Sequence, residues 1–273
     1  MAAPAAARDP QPAHSDSVRS ADRPIRAKGR EAPLPLSLYQ TAVGKKWVMA
    51  LTGVALLGFV LFHTFGNIKL YLGVIEHNGE PIYDIDLYAE GLRELLTPIF
   101  PRTWLLWLLR GGLIAAFVLH IHSAYSLTRM NAQSNIAYQS KRDWLAANFA
   151  SRSMRYTGII VLAYLIFHLA DLTWGWLPHT DWERGEVQAN VVNSLSNPAV
   201  AIIYIVANVM LAVHIYHGVY SMFQSLGINN PNYNGVRRGL ATALAVIILI
   251  GNVSFPIAVL TGIIDYDPSL LSG

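Results

Sequence analysis

The chain carries nine histidines and no cysteine, and six of those histidines (His63, His120, His122, His168, His214 and His217) sit within long apolar runs. Ionisable side chains are costly inside a membrane and are kept there for function. Without a thiolate, an internal disulfide and a cysteine nucleophile are excluded, and metal chemistry must rest on imidazoles or carboxylates. A single buried histidine is ordinarily a hydrogen-bonded core residue. Four separate runs each supplying at least one is the pattern of rings brought together to ligate a metal.

The elements that must position these rings follow from the composition. Hydrophobic residues make up 53% of the 273 and charged residues only 14%, with a mean hydropathy of +0.35. Soluble domains carry about 25% charged residues. The apolar residues fall into five runs, residues 47–72, 104–127, 156–176, 199–223 and 240–264. About 20 helical residues span a hydrocarbon core, and the alternation of a barrel strand is missing, so the reading is all-α, with five transmembrane helices. Trp47, Trp104, Trp107, Trp174 and Trp176 lie near the run ends, as interfacial aromatics do. Residues 1–33, rich in Ala, Pro, Arg, Asp and Ser, read as a disordered cytoplasmic tail ahead of an anchor domain over 34–273; no apolar core of a signal peptide precedes Leu34.

Basic residues set the orientation. Lys45 and Lys46 precede the first run, Arg129, Lys141, Arg142, Arg152 and Arg155 lie between the second and third, and Arg237 and Arg238 between the fourth and fifth. The other connections hold Glu76, Glu80, Asp84, Asp86, Glu90, Glu94, Asp181, Glu183 and Glu186. The N-terminus is expected inside and the C-terminus outside, in a multi-pass protein of the cell inner (cytoplasmic) membrane. The net charge of +3 and pI near 9.1 then reflect topology and lipid headgroup contact, and no nucleic-acid partner is expected.

Depth pairs the rings. At 1.5 Å per residue His63, 16 residues past Trp47, and His168, 13 past Arg155, lie roughly 24 and 20 Å from the cytoplasmic boundary. His120, nine before Arg129, and His217, seven before Gln224, lie within roughly 10 to 14 Å of it. Two histidines at one depth on different helices can supply both axial nitrogens of a haem, so an outer pair (His63, His168) and an inner pair (His120, His217) read as two haems on the order of 10 Å apart in depth. His122 is about 200° around the helix from His120, so the two cannot share a face and only one of them can belong to the inner pair, a choice that spacing leaves open. His214 and His217 do share a face, which leaves the inner ligand open between them and leaves room for a histidine-ligated [2Fe-2S] cluster whose thiolates come from another subunit.

GKKWVMALTG at 44–53, FHTFGN at 62–67, LHIHSAYSLTRMN at 119–131, SMRYTG at 153–158, FHLAD at 167–171 and VHIYHGVYSMFQSLGINNPNYN at 213–234 carry a resemblance. In order and placement they resemble the single-chain, five-helix cytochrome b anchor of succinate dehydrogenase and fumarate reductase, respiratory complex II, over about residues 37–262. The resemblance implies a flavoprotein and an iron–sulfur subunit docked at the cytoplasmic face, two bis-histidine haems b and a quinone, menaquinone or ubiquinone. It places the ligands at His63, His120, His168 and His217; His122 and His214 are extra.

Lys46, Arg129 and Arg155 are placed for the propionates of an inner haem. A quinone needs an apolar slot with hydrogen-bond donors, for which Ser37, Tyr39, Trp47, Tyr125 and Tyr220 are the candidates near the inner boundary. Gly53, Gly58, Gly66, Gly111 and Gly112 would admit a neighbouring helix or a flat ring. The sequence holds no Gly-rich nucleotide turn and no cysteine motif, so succinate oxidation or fumarate reduction falls to the partners and this chain carries electrons between their clusters and quinone. The rival readings are a proton-coupled transporter, for which no inverted repeat is found, and a cofactor-free structural anchor.

Overall fold

The computed structural model describes residues 33–133, 141–177, 181–228 and 230–271. The expected disordered tail lies outside the described residues, save Pro33, as do the side chains of Lys141 and Arg142. Residues through Ser37 form one unit and those from Leu38 onward a second, which is the bundle.

A short helix α1 (Leu34–Gln40) ends at Thr41, whose hydroxyl accepts from the Gly44 amide and caps α2 (Ala42–Asn67). Gly44 is required there, because a Cβ would overlap the Leu38 carbonyl. One 3-10 turn extends α2 to Tyr71. There follow a hairpin of β1 (Val74–His77) and β2 (Glu80–Tyr83), α3 (Asp84–Arg93), α4 (Trp104–Gln133) and α5 (Lys141–His168). A π turn, Leu169–Thr173, closes α5, and α6 (Val187–Leu195), α7 (Pro198–Ser225) and α8 (Asn234–Leu260) complete the chain. Five helices are long and apolar enough to cross a membrane, Ala42–Tyr71, Trp104–Ala132, Arg152–Thr173, Pro198–Ser225 and Pro231–Leu260. These are the five expected. The last begins nine residues earlier than its apolar run and ends at Leu260, two residues before Gly262, whose φ of +72° no helix continues.

The hairpin, α3 and α6 were not expected. Asn78-Gly79 makes the turn, both residues at positive φ (55° and 84°), with Val74 paired to Tyr83 and His77 to Glu80. With α6 and the start of the C-terminal segment they cap one end of the bundle over a core that includes Leu70, Tyr83, Ile85, Leu195, Val259 and Ile264. Asp86 receives the Val187 and Gln188 amides at 2.5 and 3.1 Å and so caps α6 from a distant element. Burial pushes its carboxyl above the usual range, against the pull of those two amides. This is the hairpin end, and the opposite one is the Lys45 end.

α4 packs along α2, α5 along α7, and α7 along α8, while α2 also meets α7 and α8. In lipid there is no hydrophobic drive between helices, so small residues and polar contacts must hold them. Ala207, Ala212, Ala241 and Ala245 are buried on α7 and α8. A hydrogen-bonded chain crosses four helices: Thr64 donates to Asn252 (2.8 Å), Asn252 to Asn208 (2.9 Å) and Asn208 to Tyr164 (3.5 Å). Gly251 makes room for it, a Cβ there falling 2.5 Å from the Thr64 methyl.

Candidate functional site

Toward the Lys45 end the same small arrangement is built twice. On α2 the Thr52 hydroxyl donates to the Val48 carbonyl at 2.7 Å, so its oxygen is free only to accept, and His120 Nδ1 from α4 lies 3.2 Å from it. The same Nδ1 lies 3.1 Å from the Met49 carbonyl, which can only accept. On α5 Thr157 donates to the Ser153 carbonyl at 2.8 Å, and His214 Nδ1 from α7 lies 3.2 Å from its oxygen. In both places Nδ1 is therefore the donor and Nε2 keeps its lone pair. The glycine after each threonine faces its histidine, a Cβ on Gly53 falling 3.3 Å from His120 Cε1 and one on Gly158 3.5 Å from His214 Cε1.

His214 thus has what His120 has, a threonine at Nδ1 and a glycine facing its ring. His217, one helical turn on, makes an edge contact with Tyr216 at 5.3 Å. The likeness is legible in a repeat along the chain: Thr-Gly, nine residues, then His occurs at Thr52 to His63 on α2 and again at Thr157 to His168 on α5. The partner helices repeat as well, Leu119-His120-Ile121 on α4 matching Val213-His214-Ile215 on α7. His217 matches Ser123, a residue with no ligating nitrogen.

Toward the hairpin end the repeat brings together its own two histidines. His63 and His168 have ring centres 6.0 Å apart with planes at 82°. His168 Nδ1 lies 3.3 Å from the Tyr204 hydroxyl, which in turn donates to Asp171 Oδ2 at 2.8 Å, so here too Nδ1 is the donor. His63 stacks on Phe59 at 5.4 Å. Eleven residues separate Thr52 from His63 and Thr157 from His168, so the two levels stand about 16 Å apart along the helix axes, further than reckoned from the flanking charges. Among the described residues no three His, Asp or Glu side chains converge as a metal cluster.

The remaining candidates are dispersed. His122 turns away from His120 as the 200° offset requires, its Nδ1 2.5 Å from the Tyr39 hydroxyl, which also lies 3.2 Å from Ser123 Oγ. The Lys45 ammonium sits 4.3 Å over the Tyr39 ring. Ser37 donates to the Leu34 carbonyl at 2.9 Å. Trp47 and Tyr125 are exposed on the bundle surface, with the Arg129 guanidinium 6.0 Å from the Tyr125 ring. Lys46 and Arg155 are exposed, Lys46 three residues before Met49 and Arg155 two before Thr157, each beside a histidine contact. Gly66 faces Tyr88, whereas Gly58, Gly111 and Gly112 have no neighbour within 4 Å. Arg237, read as a flanking charge, is instead buried, donating to the Ile228 carbonyl and to Asn234 while lying 5.7 Å from the Tyr220 ring.

No curated protein and no solved structure matches the chain. A family model does, over α5, α6, α7 and most of α8, the half of the bundle that holds His168, His214, Tyr204 and Asp171. That model is the succinate dehydrogenase/fumarate reductase transmembrane subunit, and the stretch of the chain similar to it is residues 138–253.

Proposed function

We propose that the chain is the membrane anchor of a succinate:quinone oxidoreductase and carries electrons across part of the bilayer on two haems b, an inner one between His120 and His214 and an outer one between His63 and His168. The observation that carries this is the paired rings with Nδ1 committed as donor on three of the four histidines, which leaves Nε2 bare for a metal. The donor set fits. Two imidazoles that shared one metal, each at about 2 Å, would need ring centres roughly 6 Å apart. The His63 and His168 centres are 6.0 Å apart. Gly53 and Gly158 keep the helix surface flat beside the inner rings.

Held by these histidines, a haem would supply one-electron exchange. The residues of the chain orient the imidazoles through Nδ1, keep water away with the surrounding apolar helices, and offer Lys46, Arg129 and Arg155 as cations for propionates at the inner edge. With the Lys45 end inside, the flavoprotein and iron–sulfur partners dock there. Quinone, menaquinone or ubiquinone, would be met at the same boundary, where Tyr39 is held by His122 and Ser123 and where Trp47, Tyr125 and Tyr220 also lie.

The test is an optical spectrum with iron and acid-labile sulfide analysis of the purified complex. The expected result is a reduced-minus-oxidised haem b spectrum and, beyond the iron of the partner subunits, two haem irons per chain. Full quinone reductase activity with extra labile sulfide and no haem absorbance would replace this reading with the cluster, and no cofactor at all would leave a structural anchor.

A further inference from the structure

The two outer histidines are not backed alike. Three residues past His168 the π turn of α5 places Asp171 fully buried, with Oδ2 accepting from Tyr204 on α7 at 2.8 Å and from Ser194 on α6 at 2.5 Å. Its Oδ1 is buried with no hydrogen-bond partner among the described residues. At the matching place on α2 stands Gly66, and the ring of His63 rests on Phe59. A buried carboxyl inside a membrane span is costly, more so with one oxygen unpartnered, and calls for a use beyond joining three helices.

We infer that Asp171, acting through the Tyr204 hydroxyl, is the positioning residue that sets His168 as a ligand and tunes the outer redox centre. Because Tyr204 gives its proton to Asp171, its oxygen is the better acceptor for the His168 Nδ1–H, and the chain of hydrogen bonds polarises in one direction. A histidine whose far nitrogen donates to such a chain is a more basic ligand with a fixed ring orientation. A more basic ligand stabilises the oxidised metal more than the reduced one. Asp171 and Tyr204 therefore hold the outer potential down, and the inner pair, backed by threonine and a carbonyl, lacks this device. This rests on the haem reading above.

The experiment is redox potentiometry of the intact complex, followed optically and by the low-spin electron paramagnetic resonance signal, in Tyr204→Phe and Asp171→Asn. In Tyr204→Phe one of the two centres is expected to become easier to reduce by on the order of tenfold in its reduced-to-oxidised ratio at fixed poise, 59 mV for one electron, with the other unmoved. Asp171→Asn should move the same centre in the same direction. If Asp171→Asn fails to assemble, Tyr204→Phe carries the test with Ser194→Ala, which leaves Tyr204 in place and should shift the centre less. Two centres whose potentials and resonance signals stay put in Tyr204→Phe would overturn this inference and leave the haem reading standing. A wild-type complex without haem would overturn both.

Discussion

At the scale of single residues, the proposed choice between adjacent histidines rests on what holds the second ring nitrogen. His214 has Thr157 at Nδ1 as His120 has Thr52, whereas His122 is engaged by Tyr39 on the far side of α4 and His217 by the ring of Tyr216. On the proposed function, His214→Gln should remove about half of the haem b absorbance and His217→Gln should leave it, read in the reduced-minus-oxidised spectrum of complexes that still assemble. The opposite result would return the inner ligand to His217, the position that the family resemblance favours. Thr52→Val and Thr157→Val keep the shape and delete the acceptor, and each should weaken cofactor retention about 10- to 100-fold without abolishing assembly. Spacing alone could bring out four of the ligand candidates, because a period of 3.6 puts residues on faces. It could not separate His214 from His217, which share a face, and it says nothing of a tyrosine on another helix. Tyr204 and Asp171 are legible only after α5 and α7 have been packed together.

At the scale of elements, the spans were legible because each is a long run whose composition admits no other structure in lipid. The cap was not. Its signal was present in Asn78-Gly79 between Val74–His77 and Glu80–Tyr83, a hairpin signature overshadowed by the acidic loop around it. Two predictions belong here. Gly251→Ala pushes a Cβ to 2.5 Å from the methyl of Thr64, whose hydroxyl fixes the side chain by hydrogen bonds to Val60 and Asn252, so α2 and α8 must part and about 1 to 3 kcal/mol of stability should be lost, read as a lower unfolding temperature of the solubilised complex. The loop after α3 gives a pH effect. The Arg102 guanidinium, helped by Arg93, holds the Glu90 carboxyl below the usual carboxylate range. A lowered folded value means stability that is present above the unfolded value near 4.5 and is lost as pH falls below it. Glu90 is exposed to solvent, so the effect is local: trypsin cleavage after Arg93 and Arg102 should quicken between neutral and acid-treated samples assayed for transient opening, and Glu90→Gln should quicken it at neutral pH already.

At the scale of the whole molecule, the two halves of the bundle repeat one device, a threonine–glycine step facing a histidine and a second histidine 11 residues further along the same helix. Two copies side by side, both running in the same direction, place four rings at two levels, which is what a path along the membrane normal requires. The direction of that path depends on which end lies inside. Lys45, Lys46, Arg129, Arg152, Arg155 and Arg238 mark one end, and the acidic hairpin and cap mark the other. The absence of cysteine makes this directly measurable, since a single introduced thiol is the only one in the chain. Asn78→Cys, at the exposed hairpin turn, should react with a membrane-impermeant thiol reagent applied to intact cells, and Arg129→Cys, at the exposed end of α4, only after the membrane is opened. Labelling with the reverse pattern would put the Lys45 end outside, and with it the His120 and His214 pair on the side away from any cytoplasmic iron–sulfur partner, so the electron path proposed here would have no donor at its inner end.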